Sequence, residues 1–250
     1  EMGVLLMDWL LTMAEERGEK PQDKVAVSTI VSSAMPDVLA RARGFEMRRV
    51  LTGFKYIGDQ IDQLKDAGEE DRFLMGFEES YGYLVGTHAR DKDAIVATML
   101  CVEMASWYAA RNMDLYEAMD ALYQRYGYYL NGVVNAAYPG AEGAAKMAEI
   151  MSGLRKNPLE MVGNYKVVGV TDYAECAEMP RVSGLQKEAP QTLPASNVIE
   201  YRLEGDNKVI FRPSGTEPKV KAYLFANGKT REEAEARIAE LSEAAQKVLS

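Results

Sequence analysis

Arg212-Pro-Ser-Gly-Thr-Glu-Pro-Lys219 gathers the groups that hold a phosphate. Arg212 offers a rigid fork of donors, Ser214 and Thr216 offer hydroxyls, Gly215 lets backbone amides approach closely, and Lys219 adds charge. From Lys208 to Lys221 four basic residues stand against one acid, a local +3 (4 − 1) in a chain whose formal charge is −9. Such focusing directs an anion to one place on an otherwise repelling surface. The same Ser, Gly and Pro would also serve an ordinary turn, so the segment alone leaves both readings open.

Gly76-Phe-Glu-Glu-Ser-Tyr-Gly82 places two carboxylates and a hydroxyl between glycines, a set that accepts from and donates to a polyol. Its plain alternative is a solvated acidic loop. Thr52-Gly-Phe-Lys55 could turn backbone amides and an ammonium toward an anion. Thr87-His-Ala-Arg-Asp-Lys-Asp93 brings Arg90 and Lys92 near the acidic loop, or pairs them with surface acids at a helix start. The single histidine, His88, cannot build a histidine metal site, and proton transfer beside the acidic loop or a structural role both suit it.

Each of these segments needs an element to hold it. Val25–Val31, Phe45–Leu51 and Arg72–Phe77 read as strands, and helices at Pro36–Ala42 and Ile57–Leu64 alternate with them, which implies βαβ units and a parallel sheet. The acidic loop and Thr52–Lys55 both follow strands, where ligands of open α/β sheets bind. Glu1–Arg17 reads as a buried helix, Ala94–Ala110 as a long core helix, and Leu115–Tyr126 as a shorter one.

Gly127–Gly143, rich in Gly, Asn, Tyr and Pro, reads as a boundary and hinge, giving domains at 1–127 and 128–250. Beyond it lie a helix at Ala144–Leu154, strands at Tyr165–Val170, Val198–Leu203, Lys208–Phe211 and Val220–Phe225, and a helix at Arg231–Leu249 opened by the capping-box pattern Thr230–Glu233. Consecutive strands without helices imply an antiparallel sheet; Pro180–Asn197 reads as a loop. The expected fold is α/β followed by α+β: a three-layer α/β/α domain with a mixed sheet, then a smaller domain with a mainly antiparallel sheet flanked by helices.

With 47% apolar and 27% charged residues the chain is globular in composition, and its acidic balance argues against nucleic-acid and anionic-membrane partners. The longest uncharged stretch, Tyr126–Ala141, is broken by Gly and Pro and too short to span a bilayer. Cys101 and Cys176 lack zinc-type spacing or a disulfide framework, which fits a reducing cytoplasm.

Taken together and in order, Thr52–Lys55, Gly76–Gly82, Ala89–Asp93 and Arg212–Lys219 resemble the α-D-phosphohexomutases, in particular the bacterial phosphoglucomutase/phosphomannomutase branch. The resemblance runs over essentially the whole chain. It implies domains three and four of a four-domain enzyme; the family's Ser-His-Asn-Pro nucleophile loop and Asp-Gly-Asp metal loop are absent, and Glu1-Met-Gly3 resembles the point just past the latter. The implied reaction moves phosphate reversibly between C1 and C6 of a hexose through a hexose 1,6-bisphosphate, with Mg2+ and the phosphoserine in missing N-terminal domains, in cis.

The implied roles are the non-reacting phosphate for Arg212, Ser214, Gly215 and Thr216, with Lys219 added; sugar hydroxyls for Glu78 and Ser80; and the substrate or its reacting end for Lys55 and Lys92. No catalytic residue and no metal ligand is expected in this chain, and alone it is expected to be inactive. Glucose, mannose and pentose phosphates all remain open as substrates. A non-catalytic sugar-phosphate-binding module is the competing reading, and a protein whose loops are only turns is a further one.

Overall fold

The computed structural model describes residues 1–140, 142–174, 177–179, 191–215 and 217–250. They form two compact units, one built on Glu1–Tyr126 and the other on Gly127–Glu178 and Thr192–Ser250.

In the first unit, strands β1 (Val25–Thr29), β2 (Glu46–Val50), β3 (Phe73–Glu78) and β4 (Gly82–Val85) form a mixed sheet in the order β2-β1-β3-β4. β1 pairs in parallel with β2 and β3, and β4 folds back antiparallel on β3. β1 is buried along its whole length, as its β-branched, uncharged sequence requires of a central strand covered on both faces. On one face, α3 (Phe54–Asp66) packs Phe54, Ile57, Ile61 and Leu64 onto Val25, Val27 and Phe73. Gly76 is needed there, because a Cβ would sit 2.3 Å from Ile57 Cγ2. On the other face, α1 (Met2–Glu16) passes so close that a Cβ on Gly3 would meet the Phe77 ring at 2.5 Å. The helices α2 (Met35–Arg43), α4 (Ala94–Ala109) and α5 (Leu115–Tyr126) complete the three layers.

β2 carries Glu46, Arg48 and Arg49, all buried. Their charges are matched: Glu46 pairs with Arg48 at 2.5 Å and Arg72 at 2.9 Å, and Arg49 donates to both oxygens of Asp37 and to the Thr29 and Ser33 carbonyls. Buried charges need such partners.

The second unit holds a six-stranded antiparallel sheet in the order β5-β12-β11-β10-β7-β6, from β5 (Tyr128–Ala137), β6 (Met161–Val162), β7 (Tyr165–Asp172), β10 (Ile199–Leu203), β11 (Asn207–Pro213) and β12 (Lys219–Gly228). Its core packs α6 (Gly143–Lys156) and α7 (Arg231–Leu249) against Tyr201, Phe211, Val220 and Leu224. Thr230 accepts from the Glu233 amide at 3.2 Å, while the Glu233 carboxylate reaches past the cap to the Lys229 amide at 2.7 Å.

Three expectations need correction. Gly127–Gly143 is not a free hinge: Tyr128–Ala137 is a ten-residue strand paired with β12 throughout. Gly132 sits in it as a packing residue, where Ile238 of α7 approaches within 3.3 Å of a would-be Cβ. α4 is not a core helix; Ala97 and Met104 alone are buried among its residues, and Ile95 is 83% exposed. Within the expected Pro180–Asn197 loop, β9 (Gln191–Leu193) pairs with β8 (Ala177–Met179), and 180–190 lies outside the described residues.

Candidate functional site

The strand order changes direction between β1 and β3, since the chain runs from β1 out to β2 and returns past β1 to β3. The crevice beyond the carboxyl ends of such strands is where an open α/β sheet takes ligands. Three segments meet there: the turn after β1, the Thr52–Lys55 turn into α3, and the hairpin joining β3 to β4.

Glu78, the last residue of β3, is 7% exposed, and its Oε1 accepts from the Gly53 amide at 2.8 Å. That bond joins the acidic hairpin to the N-terminus of α3, where Gly53 holds φ 125°, a value that only glycine adopts without strain. Ser80 is exposed and makes no hydrogen bond among the described residues. Lys92 lays its stem on Gly82, where a Cβ would lie 2.8 Å from Cδ, and carries its Nζ 5.1 Å from the Phe54 ring centroid. Its ammonium also bonds Asp91 at 2.8 Å. Lys55 lies in the first turn of α3, its Nζ 4.7 Å from the Tyr56 ring centroid. Glu78, Lys55 and Lys92, scattered in the chain, are thus neighbours in one unit.

Other candidates have structural partners. Arg90 is bound to Asp62 at 2.7 Å and to the Thr87 carbonyl at 2.7 Å, an anchor for the loop before α4. His88 Nε2 meets Asp93 Oδ2 at 2.9 Å, and the same carboxylate caps α4 through the Ile95 and Val96 amides. The Val96 amide and then the His88 hydrogen bond hold the Asp93 carboxyl below its usual range, against an opposing desolvation.

In the second unit, Arg212, Ser214, Gly215 and Lys219 occupy the end of β11 and the turn into β12. Ser214 donates its amide to the Lys219 carbonyl at 2.8 Å, which closes the turn, and Pro218 accepts from the Tyr138 amide at 2.7 Å, which ties it to the end of β5. Thr216 lies outside the described residues. Gly215 is open, with no atom within 4 Å of a would-be Cβ, so room for an approaching ligand rather than backbone strain is what glycine provides there.

The local charge differs from a count along the sequence. Lys208 is committed to Glu200 at 3.6 Å and to the Phe225 ring, and Lys219 pairs with Glu217, whose carboxyl is lowered chiefly by that bond. Arg212 has no hydrogen-bond or ion-pair partner among the described residues, and Lys221 stands directly opposite it on β12, with Asn135 of β5 next in the row. The sequence count included Lys221 but did not mark Asn135, and only the register aligns both with Arg212.

Among the described residues no group of three or more His, Cys, Asp or Glu side chains is placed to hold a metal ion. No helix among them is long and apolar enough to cross a membrane.

Residues 2–126 match the family model for phosphoglucomutase/phosphomannomutase, alpha/beta/alpha domain III. A phosphoglucomutase of Staphylococcus haemolyticus is 32% identical over 227 residues, 91% of this chain and 40% of that protein. A Staphylococcus aureus phosphoglucomutase is 32% identical over 226 residues, 90% of this chain and 39% of its own length. The chain thus spans about 40% of the length of the curated relatives it matches. Among solved structures, the open form of the Paramecium phosphoglucomutase pp63/parafusin superposes with a TM-score of 0.66 at 17% identity, covering 99% of this chain and 40% of that one. A Thermus thermophilus protein described as a phosphomannomutase gives 0.61 at 18%, covering all of this chain and 40% of its own.

Proposed function

This chain belongs to the phosphoglucomutase/phosphomannomutase family, and we propose that it is the C-terminal, substrate-binding part of a phosphohexomutase. The longer protein would move phosphate reversibly between C1 and C6 of a hexose through a hexose 1,6-bisphosphate, in the cytoplasm. Its phosphoserine and Mg2+ would lie in the portion corresponding to the unmatched length of the relatives.

On this reading the chain's own residues bind and orient, and none performs chemistry. Arg212, Ser214, Gly215 and Thr216, with Lys219, hold the phosphate that is not reacting. Glu78 and Ser80 read sugar hydroxyls, and Lys55 and Lys92 meet the substrate near its reacting end. A mutase must accept its sugar in two orientations. A fixed anion grip combined with hydroxyl-reading carboxylates allows this, because each orientation presents one phosphate and a nearly equivalent ring.

The observation that carries the reading is Arg212: a guanidinium without a described partner at the edge of a closed basic turn, opposite a second cation, is a charge kept for an anion. Calorimetric titration of this chain with glucose 6-phosphate, glucose and inorganic phosphate tests it. Glucose 6-phosphate is expected to bind tightest. Glu78→Gln is expected to weaken glucose 6-phosphate by about tenfold, the scale of one charge-assisted hydrogen bond, while phosphate alone changes less than about twofold. Equal loss for both ligands would sink the assignment of Glu78 to the sugar.

A further inference from the structure

The hairpin between β3 and β4 has a loop of three residues, Glu79, Ser80 and Tyr81, closed by the Glu78–Gly82 pair. Loops of this length place a residue in the left-handed region at their third position, usually glycine. Here that residue is Tyr81, at φ 65° and 89% exposed, so the backbone is strained where a glycine would relieve it. A strained loop keeps its shape only when its surroundings over-determine it.

The second carboxylate of the acidic pair supplies that determination. Glu79 Oε2 accepts from Thr29 Oγ1 at 3.0 Å and lies 3.4 Å from Ser32 Oγ, and the two hydroxyls are 3.0 Å from each other. Thr29 and Ser32 are buried, at 0% and 2% exposure. Thr29 is itself fixed, because Arg49 donates to its carbonyl at 3.1 Å while holding Asp37 with the rest of the guanidinium. One residue earlier, Ser28 Oγ donates to the Phe77 carbonyl at 2.8 Å, a second tie from the end of β1 to the end of β3.

We propose that Glu79 is a positioning residue: through Thr29 and Ser32 it latches the 78–81 hairpin to the turn after β1, and so fixes the direction in which Glu78 and Ser80 are presented. The two adjacent acids divide the work, Glu79 gripping its own scaffold and Glu78 keeping Oε2 for a ligand. The consequence for ligands rests on the sugar-binding reading of the preceding section; the latch itself does not.

The experiment pairs a ligand-free and a ligand-dependent readout on the whole chain. The Gly53 amide, bonded to Glu78, reports by hydrogen exchange whether the hairpin is held. In Glu79→Ala its exchange is expected to quicken by about tenfold, and in Glu79→Gln, which keeps an acceptor, by less than about twofold. Thr29→Val is expected to copy Glu79→Ala, Thr29→Ser to restore the parent, and the double variant Thr29→Val with Glu79→Ala to add nothing beyond either change. In calorimetry Glu79→Ala should cost roughly fivefold or more in glucose 6-phosphate affinity and leave inorganic phosphate unchanged, a split that general destabilisation would not give. Because Glu79 is exposed, its variants test the latch even if Thr29→Val does not fold. Unchanged Gly53 exchange in Glu79→Ala overturns the latch. A parent chain that ignores glucose 6-phosphate while Gly53 exchange still quickens overturns the sugar-binding reading and supports the latch.

Discussion

Arg212 keeps a full charge with no described partner to satisfy it, half-exposed at the end of β11. Removing it leaves no orphaned acid, so Arg212→Ala is expected to weaken glucose 6-phosphate by at least about tenfold while the melting temperature moves by less than about 1 °C. Calorimetry beside thermal melts checks both, and an unaltered affinity would take Arg212 out of the site. Asp93 makes the opposite kind of case, a charge wholly committed to structure. Its carboxyl titrates below the ordinary 3.8 because the Val96 amide and His88 favour the ionised form. The folded state therefore binds this proton less readily than the unfolded one. Its contribution is present above the ordinary carboxylate value and is lost as pH falls through the lower folded value. Melts of the parent and Asp93→Asn should differ at pH 5 and draw together as the pH falls below the ordinary carboxylate value.

At the scale of elements, α4 shows how far an apolar sequence can mislead. Its residues are apolar on nearly every face, yet among the described residues its main packing partners are β4, α1 and α5. Met104 is fully buried, whereas Ile95, Met99 and Val102 face outward. Met104→Ala should cost this chain about 2–5 kcal/mol, and Ile95→Gln less than about 0.5 kcal/mol, by chemical denaturation. A large loss at Ile95 would show that its face is covered. β5 is the converse. Its glycine and asparagines read as a break, but backbone pairing with β12 fixes the strand whatever its side chains prefer, and Gly132 makes room for α7. Composition reports local preference; β5 was decided by β12 and α7, far away in sequence, and α4 by which of its faces β4, α1 and α5 cover.

For the whole molecule, each unit owns a separate hydrophobic core, one around Val27, Ile57 and Ile61 and one around Tyr201, Phe211 and Leu224. We propose that the division near residue 127 separates independently folding domains. Residues 127–250 expressed alone are then expected to unfold in one cooperative transition and to keep the intact chain's affinity for inorganic phosphate within about threefold. Loss of the cooperative transition would refute independence. The sequence by itself determined the two fold classes, since β-branched runs alternating with helices and strands following strands are local patterns. It also marked the turn at Arg212–Lys219 as a candidate anion site, since its groups adjoin in the chain. Tertiary structure alone decided which charges stay available, because Lys208 is neutralised by Glu200 on a neighbouring strand and Arg212 is not. It alone separated Glu78 from Glu79, identical in type and adjacent in the chain. Their partners, Gly53 and the Thr29 and Ser32 hydroxyls, come from segments that only the folding of the sheet brings beside them.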